Sequence, residues 1–229
     1  MLRAIIFDFD GVVVDSEPIH LEAIKAALGD LGAELTPELY AQRYLAYDDL
    51  RGFALFFADR GKELAEEELR AVVARKGAIY MEMIQAGKAR FFPGVAELIR
   101  ELARSTPLAI ATGSLRHEVR ALLESGGLLS CFRVVVSAED VSRGKPDPES
   151  YLLALAELNR VTGAVPAIAP GEALVIEDSR QGIASARRAG MKALAVSTSY
   201  PARELAEADL ILPALAGLQL STLAELFPG

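Results

Sequence analysis

Four short polar segments of this 229-residue chain each come after an apolar run typical of a buried strand. The first is Asp8-Phe9-Asp10-Gly11, and the second is Thr112-Gly113-Ser114. The third is the loop Arg143-Gly144-Lys145-Pro146-Asp147-Pro148, and the fourth is Glu177-Asp178-Ser179. Together they supply acidic groups, hydroxyls and a lysine, which is a combination suited to binding a cation beside an anion.

The carboxylates of these segments predict a divalent metal site. Asp8, Asp10, Glu177 and Asp178 would repel one another if packed together, and their pKa values would rise. A hard cation removes that penalty. Mg²⁺ prefers oxygen ligands and retains several waters, so we expect it as the cofactor.

The remaining polar groups predict a phosphate-binding pocket next to that metal. Its ligands would be Thr112, the Gly113 amide, Ser114 and Lys145. A metal beside an anion pocket, with one carboxylate able to attack, is suited to phosphoryl transfer. Each segment alone could be a helix cap, a turn or a solvated loop, but their joint placement after successive strands favours a site.

Separate catalytic roles follow from where these residues stand. Asp8 ends a buried strand, so it would be held rigidly, as an in-line nucleophile must be. Asp10 lies two residues further on and would act as general acid and base. Lys145 would bridge the nucleophile and the phosphate, while Asp178 and its neighbour Glu177 would hold the metal directly or through water.

Alternating apolar runs and amphipathic stretches predict the elements that position these groups. The runs, read as parallel strands, are Leu2–Phe7, Leu108–Thr112, Arg133–Ser137, Ala173–Ile176, Lys192–Val196 and the weaker Asp209–Leu212. The helices between them are Gly94–Ser105, Arg116–Ser125, Pro148–Asn159 and Ser179–Ala189. This order predicts an α/β fold with a doubly wound parallel sheet, whose ligands bind beyond the carboxyl ends of the strands.

About ninety residues separate the first strand from the second, far more than one crossover helix requires. Helical patterns fill most of that gap: Glu17–Leu31, Pro37–Tyr44, Leu50–Arg60 and Glu63–Gln85. We therefore expect a catalytic core made of residues 1–15 and 91–229, with an all-α domain of residues 16–90 inserted after the first strand.

Composition excludes several classes of protein. Hydrophobic residues make up 52 % of the chain and the formal net charge is −8, so there is ample material for a core and no basic stripe for nucleic acid. The single cysteine, Cys131, fits a reducing compartment. The apolar start carries Asp8 and Asp10, which a membrane span would not. We expect a cytoplasmic monomer or weak dimer that binds a small phosphorylated metabolite, with no nucleic-acid or membrane partner.

The four segments resemble the four motifs of the haloacid dehalogenase superfamily, in the same order and spacing. Asp8-Phe9-Asp10-Gly11-Val12-Val13-Val14-Asp15 is similar to the first motif and Ala111-Thr112-Gly113-Ser114 to the second. Lys145 within Gly-Lys-Pro-Asp-Pro is similar to the third, and Val175-Ile176-Glu177-Asp178-Ser179 to the fourth. The resemblance covers essentially the whole chain. Residues 15–20 also resemble the cap hinge of the subgroup with β-phosphoglucomutase and phosphoglycolate phosphatase.

This resemblance implies a Rossmann-like core with a movable helical cap, and an aspartyl-phosphate formed on Asp8. It implies that Mg²⁺ is held by the Asp8 carboxylate, the Asp10 backbone carbonyl and Asp178, with Glu177 assisting. Haloacid dehalogenases lack the acid at position 10, because a leaving halide needs no proton. The presence of Asp10 therefore favours phosphate esters, and we expect a phosphatase of small-metabolite phosphomonoesters.

Two alternatives remain open at this point. A sugar-phosphate mutase of the β-phosphoglucomutase kind would carry a cap motif with an arginine for the second phosphate. The corresponding stretch Leu45-Ala46-Tyr47-Asp48-Asp49 has none, whereas His20 and Arg75-Lys76 do resemble the mutase cap. The second alternative is a binding protein that has lost activity, which the intact motif residues argue against. Within the cap, we expect Arg43, Tyr47 and Lys76 to face the substrate and His20 to belong to the hinge.

Overall fold

A sheet of parallel strands forms the centre of the larger of two structural units. The structure, a computed structural model, describes residues 1–29, 31–44, 47 and 49–227. It divides into Met1–Asp15 with Arg90–Gly229, called the sheet unit below, and Ser16–Ala89, called the inserted unit. The first boundary lies between residues 15 and 16, as in the prediction, and the second lies between residues 89 and 90, one residue before the predicted one.

Within the described residues, six strands of the sheet unit pair in the order β5-β4-β1-β6-β7-β8, all parallel. They are β1 (Ala4–Phe7), β4 (Leu108–Ala111), β5 (Phe132–Val136), β6 (Ala173–Glu177), β7 (Lys192–Val196) and β8 (Leu210–Leu212). Strands β1, β4 and β6 are buried along their whole length, which explains why they read as continuous apolar runs without alternation. The predicted doubly wound α/β core is confirmed.

Register fixes the relative height of the central strands. Phe7 pairs with Ile110 on one side and with Ile176 on the other. The residues that follow these three positions therefore emerge at the same level of the sheet edge. This edge is where ligands bind in open parallel sheets.

Helices cover both faces of this sheet. They are α5 (Val95–Leu102), α6 (Arg116–Ser125), α7 (Glu149–Thr162), α8 (Arg180–Arg188) and the short α9 (Leu220–Ala224). Helix α7 continues three residues beyond the predicted end and stops before Gly163, whose φ of 62° is left-handed. Tyr151, Ala154, Leu155 and Leu158 on its buried face join the core beneath the sheet.

A two-stranded antiparallel ribbon joins the two points at which the chain leaves and re-enters the sheet unit. Strands β2 (Val14–Asp15) and β3 (Arg90–Phe91) pair Val14 with Phe91 and Asp15 with Arg90. The sequence does not predict this ribbon, because two residues are too few to show a period.

The inserted unit is helical throughout its described elements. These are α1 (Glu17–Gly29), α2 (Pro37–Leu39), α3 (Asp49–Ala58) and α4 (Glu66–Gln85), with a π-helical turn at Tyr40–Tyr44. The helix predicted over Pro37–Tyr44 is present, but its second half, Tyr40–Tyr44, winds as a π-helix rather than an α-helix. Phe53, Phe56 and Phe57 are buried in the core of this unit. No helix described here is long and apolar enough to cross a membrane.

Ile6 provides a test of how the sheet is stabilised. Its side chain is fully buried in the central strand β1, so Ile6→Ala removes apolar contacts and leaves a cavity. We expect the free energy of unfolding to fall by about 2–5 kcal/mol. Urea denaturation measures it, and Leu152→Ala on the exposed face of α7 is the control, with an expected loss below about 1 kcal/mol. Equal losses for the two variants would contradict this assignment.

Candidate active site

The ends of neighbouring strands carry the predicted site residues to one edge of the sheet unit. Asp8 follows β1, and its amide still donates to the Ile176 carbonyl at 2.9 Å. Thr112 follows β4, and its amide donates to the Val136 carbonyl at 3.0 Å. Both residues therefore begin where the sheet ends while remaining bonded to it. Glu177 is the last residue of β6.

Three buried carboxylates meet at this edge. Asp8, Glu177 and Asp178 each offer an oxygen, and these oxygens lie within 4.8 Å of one another. Burial raises the pKa of Asp8 well above its usual range; Lys145 lowers it in part, while Glu177 and Asp178 raise it further. Burial and the charge of Glu177 raise the pKa of Asp178 to about 7. Carboxyl groups disfavoured as anions in this way fit a hard divalent cation, which would restore their charged forms.

Lys145 is the positive group inside this cluster. Its Nζ atom lies 2.6 Å from Asp8 Oδ1 and 2.8 Å from Glu177 Oε1, and it donates to the Ala111 carbonyl at 3.1 Å. Burial alone would lower the pKa of Lys145, but Asp8 and Glu177 outweigh it and hold the pKa well above the usual value. The side chain is therefore a fixed ammonium beside the predicted nucleophile.

Glu177 is saturated by hydrogen bonds. Its Oε1 accepts from Lys145 and from the Tyr151 hydroxyl at 2.9 Å. Its Oε2 accepts from the Asp178 amide, and from both the amide and the hydroxyl of Ser179, at 2.8–2.9 Å. Burial would raise the pKa of Glu177, but Lys145 and the Ser179 bonds hold it below the usual value. This carboxylate thus organises the loop after β6, and a Cβ at Gly182 would overlap it.

Asp10 joins the site through Ser114. The Ser114 hydroxyl donates to Asp10 Oδ2, and the Ser114 amide donates to Thr112 Oγ1 at 3.0 Å. Gly113 lies between them and is exposed. The structure therefore brings the segment after β4 against the segment after β1. Asp10 itself is not one of the three acids in the buried cluster.

The turn after Asp10 requires a glycine. Gly11 adopts a φ of 76°, which L side chains rarely adopt, and its amide donates to the Val14 carbonyl at 2.9 Å. A Cβ at this position would overlap the Asp178 carboxylate. The turn after β1 and the loop after β6 consequently touch with no space for a larger residue.

Sequence reasoning missed two residues of this edge. Tyr151 donates to Glu177, and its ring lies 4.8 Å from Lys145 Nζ. Ser199 donates to Asp178 Oδ2. A signal existed for Ser199, because Ser197-Thr198-Ser199 follows the predicted strand Lys192–Val196 at the same sheet edge. For Tyr151 the sequence offers no such signal, because its position fits the apolar face of a helix in the core.

Within the inserted unit, His20 and Lys76 come together. Lys76 is only 2 % exposed, and its Nζ lies 2.7 Å from His20 Nδ1 and 2.9 Å from Asp49 Oδ2. His20 stacks on Tyr80 with ring centroids 4.2 Å apart. Lys76 is therefore a buried lysine that forms an ion pair with Asp49, rather than a solvated lysine on the helix surface.

The other two residues predicted in the cap have different surroundings. Arg43 forms a two-pronged ion pair with Asp59, which also accepts from the Tyr44 hydroxyl at 2.8 Å. These hydrogen bonds lower the pKa of Asp59 to about 2. Tyr47 is 45 % exposed and lines a small apolar cavity of the inserted unit together with Phe53. A role in substrate binding stays a prediction for both.

The raised pKa of Asp178 gives the metal-free protein a defined pH dependence. With a pKa of about 7 in the folded state against 3.8 ordinarily, Asp178 keeps a proton that the unfolded chain releases. Its stabilising contribution is therefore complete below about pH 4 and is lost as the pH rises through about 7. Asparagine cannot ionise, so Asp178→Asn should melt higher than the parent in EDTA, by a margin that grows from pH 5 to pH 8.

Asp209→Asn is the matched control for this melting series. Although burial would raise the pKa of Asp209, the Lys192 hydrogen bond and the Ala193 amide lower it, so its charge stabilises the fold near neutral pH. This variant should melt lower than the parent at pH 8. A melting temperature of Asp178→Asn that does not depend on pH relative to the parent would contradict the assignment.

Comparison with known proteins finds a matching family and several similar proteins. The sequence matches the family described as haloacid dehalogenase-like hydrolase over residues 5–196. It is 31 % identical to a validoxylamine A 7'-phosphate phosphatase of Streptomyces hygroscopicus subsp. limoneus, covering 93 % of each chain. It is also 31 % identical to a phosphorylated carbohydrates phosphatase of Thermotoga maritima, covering 83 % of each.

A mutase and a solved structure are also similar. The chain is 24 % identical to a β-phosphoglucomutase of Bacillus subtilis, covering 98 % of this chain and 95 % of that one. The crystal structure of CbbY from Rhodobacter sphaeroides in complex with phosphate superposes with a TM-score of 0.83 at 28 % identity. It covers 96 % of this chain and 98 % of the other.

Proposed function

Since the chain belongs to the haloacid dehalogenase-like hydrolases and is a phosphatase of that family, we propose that it hydrolyses small sugar phosphates through a phosphoryl-enzyme on Asp8. The observation that carries the proposal is the position of Asp8. It directly follows the central strand β1, is buried, and has Lys145 Nζ 2.6 Å from one carboxylate oxygen. A nucleophile needs a fixed orientation of this kind. The hydrogen bond from Lys145 to Oδ1 distinguishes that oxygen of Asp8 from the other.

Mg²⁺ fits the acids of the site as its cofactor. Asp8 and Asp178 would hold it together with the Asp10 backbone carbonyl, since oxygen ligands of this kind suit a small hard cation. Glu177 would contribute its charge, because both of its oxygens already accept hydrogen bonds. When bound, the metal supplies positive charge to the phosphoryl oxygens and offsets the repulsion among the acids.

In the first half of the reaction, the Asp8 carboxylate attacks phosphorus and the bond to the sugar oxygen breaks. Lys145 and the Thr112, Gly113 and Ser114 segment bind the phosphoryl oxygens, so negative charge on them is compensated. Asp10 donates a proton to the departing alkoxide. Ser114 holds the Asp10 carboxyl group at the edge of the site for this purpose.

In the second half, water replaces the sugar. Asp10, now an anion, removes a proton from the water as it attacks the phosphorus of the phosphoryl-Asp8 group. Inorganic phosphate leaves, and the Asp8 carboxylate and the proton on Asp10 are restored. One residue thus serves as acid and then as base, which is why the second aspartate of the first motif is indispensable to phosphate-ester chemistry.

The substrate class draws support from the relatives. One is named for a phosphorylated carbohydrate and one for validoxylamine A 7'-phosphate. Mutase chemistry is the second candidate, because a named β-phosphoglucomutase matches and because His20 and Lys76 are in contact. Asp49 counts against it: this acid pairs with Lys76 in the stretch where mutases carry an arginine for the second phosphate. Leu45, Ala46 and Asp48 of that stretch lie outside the described residues.

Asp8→Asn tests the nucleophile. Asparagine keeps the shape of the side chain but cannot form the acyl phosphate, so we expect release of inorganic phosphate from sugar phosphates to fall by more than about a thousandfold. Release is measured over a panel of sugar phosphates, phosphoglycolate and nucleotides, with Mg²⁺ or EDTA. Glu101→Gln, an exposed change on α5, is the control and should retain parental activity. Full activity of Asp8→Asn on any phosphate ester would contradict the mechanism.

The same reactions separate the phosphatase from its alternatives. Because Asp49 pairs with Lys76, we expect release of phosphate from a sugar 1-phosphate to be faster than its conversion to the 6-phosphate. Both products are measured by ³¹P NMR, in reactions that contain a trace of the sugar bisphosphate. Isomerisation that outpaces phosphate release would make the protein a mutase. A folded parent that neither releases phosphate nor isomerises any member of the panel would favour a binding role.

A further inference from the structure

A fifth strand end contributes to the site. Residues Ser197-Thr198-Ser199 leave β7, which lies beside β6 in the sheet, and thus reach the same carboxyl edge as Asp178. None of the four motif segments includes them. The Ser199 hydroxyl donates to Asp178 Oδ2, and the Thr198 hydroxyl donates to the Gly11 carbonyl at 2.6 Å. This segment therefore bonds both to the loop after β6 and to the turn after β1.

The environment of Asp178 makes the Ser199 bond consequential. Asp178 is only 6 % exposed, and the acids nearest to it are Asp8 and Glu177. A hydroxyl that donates to one carboxylate oxygen stabilises the charged form and fixes the plane of the group. This bond thereby orients the carboxylate that would contact a cation.

Although Ser199 is exposed, its hydroxyl lies close to the turn after β1 and to Asp178. A Cβ on Gly11 would overlap the Asp178 carboxylate and approach Ser199 Oγ to 2.8 Å. The turn after β1, the carboxylate of Asp178 and the hydroxyl of Ser199 therefore touch one another. Removing the hydroxyl frees the carboxylate to rotate, while the turn is still held through Thr198.

We propose that Ser199 is a positioning residue for metal binding, acting through its hydrogen bond to Asp178. The inference rests on the proposed function only in taking Asp178 as a metal ligand. Residues that hold a ligating carboxylate in place typically change metal affinity by 10–100-fold when they are replaced. Their effect is on the affinity for the cation, so turnover with saturating metal changes little.

Direct metal binding tests the proposal without turnover. Mn²⁺, which accepts the same oxygen ligands as Mg²⁺, is titrated into the metal-free protein, and unbound Mn²⁺ is followed by electron paramagnetic resonance. We expect Ser199→Ala to weaken binding by about tenfold and Ser199→Thr, which keeps the hydroxyl, to restore it. Ser197→Ala is the matched control in the same segment. The Ser197 hydroxyl faces the Leu212 carbonyl, 3.5 Å away, and not Asp178. This variant should bind as the parent does.

Mg²⁺-dependent phosphate release by the same proteins completes the test. We expect the Mg²⁺ concentration for half-maximal activity to rise about tenfold in Ser199→Ala, with kcat at saturating Mg²⁺ within threefold of the parent. Unchanged Mn²⁺ affinity in a folded Ser199→Ala overturns the proposal, as does a loss of affinity that Ser199→Thr shares. A parent that binds Mn²⁺ but releases no phosphate contradicts the proposed function and leaves the Ser199 comparison decisive. A parent that binds no Mn²⁺ overturns the metal site and this inference together.

Discussion

An ammonium group held between two buried carboxylates determines much of the architecture at the sheet edge. Lys145 Nζ contacts Asp8 and Glu177, which lie at the ends of adjacent strands, and only 15 % of the Lys145 side chain is exposed. Breaking such a buried pair by removing one partner leaves an uncompensated charge, at a cost of about 3–5 kcal/mol. The loop that carries Lys145 is therefore fixed to the sheet by charge compensation, although it belongs to no strand.

Two neighbouring acids divide the work of the loop after β6. Glu177 accepts five hydrogen bonds and has a lowered pKa, so it is an anion that organises the backbone around it. Asp178 is disfavoured as an anion and is thereby suited to binding a cation. Ser179 supports the first role and also caps helix α8 by accepting from the Gly182 amide. The two adjacent acids can differ in this way because hydrogen bonds from the protein stabilise the charge of Glu177, whereas the charge of Asp178 would be stabilised by a cation.

The sequence predicts the parallel sheet and most of the residues that gather at its edge, because burial on both faces and polar strand ends leave local patterns. Tyr151 escaped prediction, since a tyrosine on the apolar face of a helix reads as core until its hydroxyl is seen to meet Glu177. The π-helical turn at Tyr40–Tyr44 escaped it as well, because its side chains suit an α-helix equally. Arg43 and Lys76 were both expected to face the substrate, and only tertiary contacts distinguish the surface ion pair with Asp59 from the buried cluster with His20.

The ribbon of β2 and β3 has a consequence for how this chain can change over evolution. Asp15 and Arg90 are paired across it, so both ends of the inserted unit are anchored at one place on the sheet unit. To the sheet, the whole insertion is equivalent to the loop of a hairpin. Helices within it can be lengthened, shortened or exchanged without altering the spacing of the strands that carry Asp8, Lys145 and Asp178. Selection can therefore remodel the insertion while the chemistry at the sheet edge is inherited unchanged.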